Sequence, residues 1–185
     1  MDIMPQEGNL SPKDQRIVQI LNLKAWTNPT GRNQTIEVMK QDKWGTSPFP
    51  TFKLNFNGAL KQNSGKAGYG GEIKDHTGNI QLIYHGNLGN NTNNVVELIA
   101  LIKGITLADH YKFLPLIVEG DSEIVIKMMR KLQNGTQVDN ITPSWRLSAI
   151  LKDLQAHLNN IQGITFQAVR RISNKLADII ANARV

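Results

Sequence analysis

An α/β fold, with a mixed five-stranded sheet and helices on its faces, is predicted by three features of the chain. From residue 51 onward the elements read βββαβααβα, an order that places helices against a sheet rather than against one another alone. The first three strands follow one another through short turns, which makes them a meander. At 185 residues and 40% hydrophobic content, the chain can bury a real core as one domain plus an extension.

Residues 1–10 are polar with a proline and are expected to be loose. Ser11-Pro12 opens a predicted helix, with Ser as N-cap and Pro at the first position. Ile17, Val18, Ile20, Leu21 and Leu23 form its apolar surface. This helix ends near the turn Asn28-Pro29-Thr30-Gly31, and Gly45-Thr46-Ser47-Pro48-Phe49-Pro50 reads as a linker. Residues 1–50 are therefore expected to be an N-terminal extension and linker, and residues 51–185 the main domain.

Lys53 to Gly70 reads as strand, turn and strand. Leu54, Phe56 and Gly58-Ala59 alternate, Gln62 to Gly65 supply turn chemistry, and Tyr69 lies between glycines. Gly68–Asp75 and Asn79–Gly86 are the next two strands, joined by His76-Thr77-Gly78. Asn90 to Asn94 cap a helix from Val95 to about Tyr111, on which Val96, Ile99, Leu101, Ile102, Ile105 and Leu107 are apolar. Pro115–Val118 is a short buried strand running into Glu119-Gly120-Asp121. A helix is expected from Ser122 to Leu132. After a loop, Thr142-Pro143 starts another helix to Leu158, with Trp145, Leu147, Ile150, Leu151 and Leu154 as its core-facing stripe. Ile164–Val169 is the fifth strand, and Asn174 to Ala183 the last helix.

Charge and composition narrow the function classes. The formal net charge is +6. Residues 1–50 hold 6 basic and 5 acidic side chains, which leaves 15 and 10 of the totals of 21 and 15 for the rest. The positive excess thus sits in the main domain and is compatible with a polyanionic partner. There are no cysteines, so disulfides and Cys-based zinc sites are excluded. The chain shows no basic start followed by an apolar run, and no segment apolar enough to span a bilayer. A soluble intracellular protein is expected, with nucleus and cytoplasm not distinguished, no membrane association and a monomeric state.

Four polar residues fall at element ends: Asn57 on the first strand, Glu97 in the first turn of the first long helix, Asp121 just past a buried strand, and Asp178 in the first turn of the last helix. Strand ends and first helical turns are where side chains converge in a cleft, and carboxylates gathered without bases are neutralised by metal. Each also has a structural reading. Asn57 can be a hydrogen-bonded core amide, Glu97 and Asp178 can complement helix dipoles, and Asp121 can cap the following helix.

Four motifs occur in order: Phe56-Asn57-Gly58-Ala59 with Asn63-Ser64-Gly65-Lys66-Ala67-Gly68-Tyr69-Gly70, then Thr92-Asn93-Asn94-Val95-Val96-Glu97-Leu98, then Val118-Glu119-Gly120-Asp121-Ser122, and Asn174-Lys175-Leu176-Ala177-Asp178. From about Trp44 to Val185 this pattern resembles the type 1 ribonuclease H domain, in the version of plant and plant reverse-transcriptase-derived proteins. The resemblance implies a nuclease that cuts the RNA strand of RNA–DNA hybrids with two magnesium ions held by an Asp–Glu–Asp–Asp set. The matching catalytic and metal positions are Asn57, Glu97, Asp121 and Asp178.

Asn57 departs from that set. An amide offers one neutral carbonyl oxygen and an NH₂ that repels cations, so magnesium binding is weakened at the bridging position. Ala168 stands where the family often has a histidine, in the loop before the last helix. By the same resemblance, Asn63 and Asn93 face 2′-hydroxyls and bases of the RNA strand, and Thr92 a phosphate of the DNA strand. Glu123 replaces a neutral amide and is unfavourable near a polyanion. Lys127, Arg130, Lys131 and Arg146 form a basic segment or a solvated helix face. Three functional readings remain: a hybrid endonuclease, weak or inactive; a non-catalytic hybrid-, RNA- or protein-binding module; and a retroelement remnant.

Overall fold

The computed structural model describes residues 51–61 and 66–183 in full, together with the backbone of three two-residue strands, Asp2–Ile3, Trp26–Thr27 and Asn33–Gln34. The chain divides into two compact units, Met4–Gly45, and Thr46–Val185 with Met1–Ile3. In the smaller unit Trp26–Thr27 pairs antiparallel with Asn33–Gln34. The sequence predicts a helix reaching Asn28, so its last residues are strand instead. The remainder of that helix lies outside the described residues.

The larger unit is built on five strands: β1 (Phe52–Leu60), β2 (Lys66–Lys74), β3 (Ile80–Asn90), β4 (Leu116–Gly120) and β5 (Ile164–Ala168). Their spatial order is β3-β2-β1-β4-β5, with the opening strand in the middle as the sequence predicts. β1–β2 and β2–β3 are antiparallel, whereas β1–β4 and β4–β5 are parallel, so the sheet is mixed. Asp2–Ile3, expected to be loose, adds a short antiparallel pairing to the outer edge of β3, opposite His85 and Tyr84.

Four helices follow: α1 (Asn93–His110), α2 (Glu123–Gln133), α3 (Trp145–Leu158) and α4 (Lys175–Asn182). None of the described helices is long and apolar enough to cross a membrane. α1 begins two residues earlier than its apolar pattern suggests, with Thr92 as N-cap, which puts Glu97 beyond the first turn. α3 starts at Trp145 rather than at Thr142-Pro143. Ser144 is its N-cap, and its backbone N–H bonds Thr142 Oγ1 at 3.2 Å.

The expected stripe on α3 needs one correction. Leu147, Leu151 and Leu154 are buried, but Trp145 is 75% exposed, with the Arg146 guanidinium 5.4 Å from its ring centre. At the first position of a helix the side chain can project past the neighbouring elements, and here the ring meets a cation instead of the core.

Packing is asymmetric across the sheet. On one face Leu54 and Phe56 of β1 are fully buried, in the same core as Val96, Leu98, Leu101 and Ile105 of α1. Full burial stabilises by roughly 1.5–3 kcal/mol for each such side chain. Gly58 lets α1 come this close, since a Cβ there would lie 2.7 Å from the Glu97 backbone nitrogen. On the opposite face α4 rests on β2 at Gly70, where a Cβ would meet Ile180 and Ala181. Successive strand residues point to opposite faces, so Asn57 faces α4 while Gly58 faces α1.

Candidate functional site

The site forms where the central parallel ladder stops. β1 pairs with β4 from Phe52 opposite Leu116 to Asn55 opposite Glu119, and no further. Asn57 on β1 and Asp121 after β4 both lie beyond the last pair. An opening past the C-terminal ends of parallel strands is where α/β sheets commonly bind ligands. Here α1 supplies one side and α4 the other.

The polar groups at this opening are joined by amides. Asn57 Nδ2 donates to Asp178 Oδ1 at 2.9 Å. Asn174, buried at the N-cap of α4, donates to the Phe56 carbonyl at 2.8 Å and to Asp121 Oδ1 at 3.0 Å. Its own Oδ1 accepts from Asn55 Nδ2 at 3.4 Å, and the same nitrogen donates to Glu119 Oε2 at 3.2 Å. Lys53 closes the line with Nζ 3.1 Å from Glu119 Oε1. Asp178 Oδ1 also accepts from Asn182 Nδ2 at 3.2 Å and lies 3.5 Å from Arg171 Nη2.

Glu97 reaches the opening from α1 and is 5% exposed. Its Oε2 has no hydrogen-bond partner. Burial pushes its carboxyl up to about 8, and the charges of Asp121 and Asp178 push the same way, while the Gly58 backbone N–H and Arg171 pull it back. The shift favours the protonated carboxyl at neutral pH. The four side chains named from sequence thus share one neighbourhood: Asn57 bonds Asp178, Asn174 ties Asp121 to the β1 backbone, and Glu97 feels both acids.

Asp121 is not the cap of α2. Ser122 is, its side chain accepting from the Val125 N–H. Asp178 does sit in the first turn of α4. Ala168 is the last residue of β5, paired opposite Gly120 and within the strand predicted over Ile164–Val169, rather than part of the loop before α4.

Residues 55–184 match the family described as Reverse transcriptase-like. The chain belongs to that family. No curated protein matches it. Among solved structures, the ribonuclease H1 of the halophilic archaeon Halobacterium salinarum is 25% identical, with 71% of this chain and 95% of that one covered at a TM-score of 0.61. LC11-RNase H1, from a compost metagenome and solved in complex with an RNA/DNA hybrid, is 25% identical over 73% of this chain and 96% of that one, also at 0.61. The N-terminal ribonuclease H domain of a Mycobacterium tuberculosis protein, at 24% identity, covers 72% of this chain and 92% of that one at 0.62, and shares the fold. This member of the reverse transcriptase-like family therefore has a ribonuclease H-like α/β fold.

Two magnesium ions, implied by the resemblance, do not fit the side chains as arranged. Among the described residues no group of three or more His, Cys, Asp or Glu could hold a metal ion. The chemistry of the donors explains why. Asn57 presents an N–H to Asp178, as a cation would, and Asn174 does the same for Asp121. Burial and the neighbouring acids favour the protonated form of Glu97, and a proton must leave before a carboxyl can ligate. The aspartate oxygens are occupied by amide donors rather than left open for a cation.

Of the expected substrate-facing residues, Thr92 and Asn93 are exposed at the start of α1, and the Thr92 hydroxyl makes no capping bond. Asn63 lies outside the described residues. Glu123 is exposed and paired with Lys127 at 2.8 Å, so its charge is partly offset. Arg130 is turned inward in part, its Nε donating to the Phe166 carbonyl at 3.0 Å. Sequence reasoning does not identify Asn174 and Arg171 as site residues. The available signal is the four-residue step from Asn174 to Asp178, which on a helix stacks the two side chains on one face.

Proposed function

We propose that this domain binds RNA–DNA hybrid through the opening between β1, α1 and α4, and that it cleaves the RNA strand weakly or not at all. The observation that carries this reading is the Asn57 amide bonded to Asp178 at the place where the ribonuclease H pattern requires an acid. In that pattern Asn57, Glu97, Asp121 and Asp178 are the catalytic and metal positions. A neutral amide in the first of them removes a unit of negative charge and the bridging ligand.

Binding does not need that ligand. Asn93 offers an exposed amide at the start of α1, and the resemblance assigns it with Asn63 to the RNA strand, where an amide suits a 2′-hydroxyl that both donates and accepts; the exposed Thr92 hydroxyl suits a phosphate of the DNA strand. A structure of the similar LC11-RNase H1 contains an RNA/DNA hybrid, which supports the same ligand class here. From the motif spelling we further infer a plant, retroelement-derived branch of the family, and with it action inside the cell as a monomer.

The test measures affinity for matched RNA–DNA hybrid and DNA duplex. Hybrid should bind more tightly, and Asn93→Ala should weaken hybrid binding more than duplex binding. Equal affinity for both, unchanged by Asn93→Ala, would remove the basis for the hybrid assignment.

A further inference from the structure

The site holds a positive group that the ribonuclease H pattern does not bring forward. Arg171 opens the 3₁₀ turn Arg171–Asn174 that leads into α4, and its side chain is 79% exposed. One N–H nitrogen, Nη2, lies 3.5 Å from Asp178 Oδ1, the oxygen that already accepts from Asn57 and Asn182. An exposed contact of that length holds an arginine weakly. The guanidinium is thereby aimed at the opening without being consumed by it. Its planar fork carries five donors and remains charged at every working pH, which matches it to the oxygens of a phosphate. Arg170, also exposed, adds a second charge alongside.

The carboxylates here are satisfied by amides, and the donor set does not suit a divalent ion. The phosphate charge of a nucleic acid at this opening must be met by something else. Resting on the nucleic-acid reading above, we propose that Arg171 grips a backbone phosphate of the bound strand in place of a divalent cation, so that binding is independent of magnesium. Asp178 holds the guanidinium when the opening is empty and releases it to the phosphate. Sequence is not read by this contact, because a phosphate oxygen is the same at every step.

The full chain, Arg171→Ala and Arg171→Lys are titrated against labelled RNA–DNA hybrid and DNA duplex, in EDTA and in magnesium chloride at matched ionic strength. The unaltered chain should bind hybrid equally well in both buffers. Arg171→Ala should weaken hybrid and duplex alike, several-fold, and reduce the slope of log Kd against log salt by about one. Arg171→Lys should keep that slope and recover only part of the affinity, since a point charge replaces the fork. Matching melting temperatures show that the variants fold. The assignment is overturned if Arg171→Ala keeps both affinity and slope, or if the unaltered chain loses hybrid in EDTA. Both of those results leave hybrid binding itself in place; an unaltered chain that binds no nucleic acid would instead sink the nucleic-acid reading and this assignment with it.

Discussion

Asn57 on the central strand donates its side-chain N–H to Asp178 on the last helix, 121 residues later in the chain, at 2.9 Å. The bond ties β1 to α4 and supplies a donor to an acid whose charge is felt by Glu97. The same contact explains why the cleft can be stable without a metal and why it is poorly suited to hold one.

Asn57→Asp should therefore destabilise the metal-free protein. The substitution trades a donor for a second carboxylate beside Asp178, with an expected cost of about 1–3 kcal/mol. Thermal melts in EDTA should show a lower Tm by roughly 2–4 °C for each kcal/mol. Magnesium should raise the Tm of the variant and leave that of the unaltered chain nearly unchanged. A variant with unchanged Tm in EDTA would mean that the amide contributes nothing to the fold.

Stability should fall as pH rises through the neutral range. The Glu97 carboxyl moves from 4.5 to about 8 on folding, mainly by burial and then by Asp121. Between those values the folded chain keeps a proton that the unfolded chain has released. The contribution is thus fully present below about 4.5 and is lost as pH climbs to 8. Glu72, buried beside Lys74, is shifted the same way by burial and adds to the slope. Urea unfolding between about pH 5 and 9 should show this decline, on the order of a few kcal/mol, and Glu97→Gln should flatten part of it. A Glu97→Gln variant as pH-dependent as the original would place the proton elsewhere.

Asn174→Ala should cost more stability than any change at an exposed residue of the site. It removes donors to the Phe56 carbonyl and Asp121 and an acceptor for Asn55, all buried or partly so. An unfolding loss of about 2–4 kcal/mol is expected, since buried partners are left unpaired. Trp145→Ala, by contrast, should stay within about 0.5 kcal/mol of the original, because the ring is largely in solvent.

Gly58→Ala separates packing from chemistry. The added methyl would meet the backbone of α1 at 2.7 Å, and backbone cannot step aside as a flexible side chain can. The helix must shift off β1, with an expected loss of about 1–3 kcal/mol. Hydrogen exchange on α1 would report it, as faster exchange around Glu97 than around Leu107.

The strands and helices of the larger unit are legible in the sequence because punctuation and period agree. Asn79 and the His76-Thr77-Gly78 turn mark the hairpin, and the apolar spacing from Val95 marks α1. The convergence of Asn57 with Asp178 is legible only through the motif order, since no local signal links positions so far apart. What joins them is not legible. Asn174 reads only as the start of the last helix, and its bonds to Phe56 and Asp121 depend on where the β1–β4 ladder ends, which is a matter of register. Trp145 misleads because its apolar character alone reads as buried, although two residues before Leu147 it lies on the other side of the helix from Leu147, Leu151 and Leu154.

Cleavage decides whether Asn57 silences the site. The RNA strand of a labelled RNA–DNA hybrid is followed in magnesium buffer with the unaltered chain and with Asn57→Asp, at equal concentration and with hybrid binding verified for both. The unaltered chain should leave the strand intact, and the variant should cut it slowly, because a carboxylate returns to the opening while Ala168 offers no group for proton transfer. Rapid magnesium-dependent cleavage by the unaltered chain would show that the Asn57–Asp178 bond yields to metal and that the amide does not silence the site.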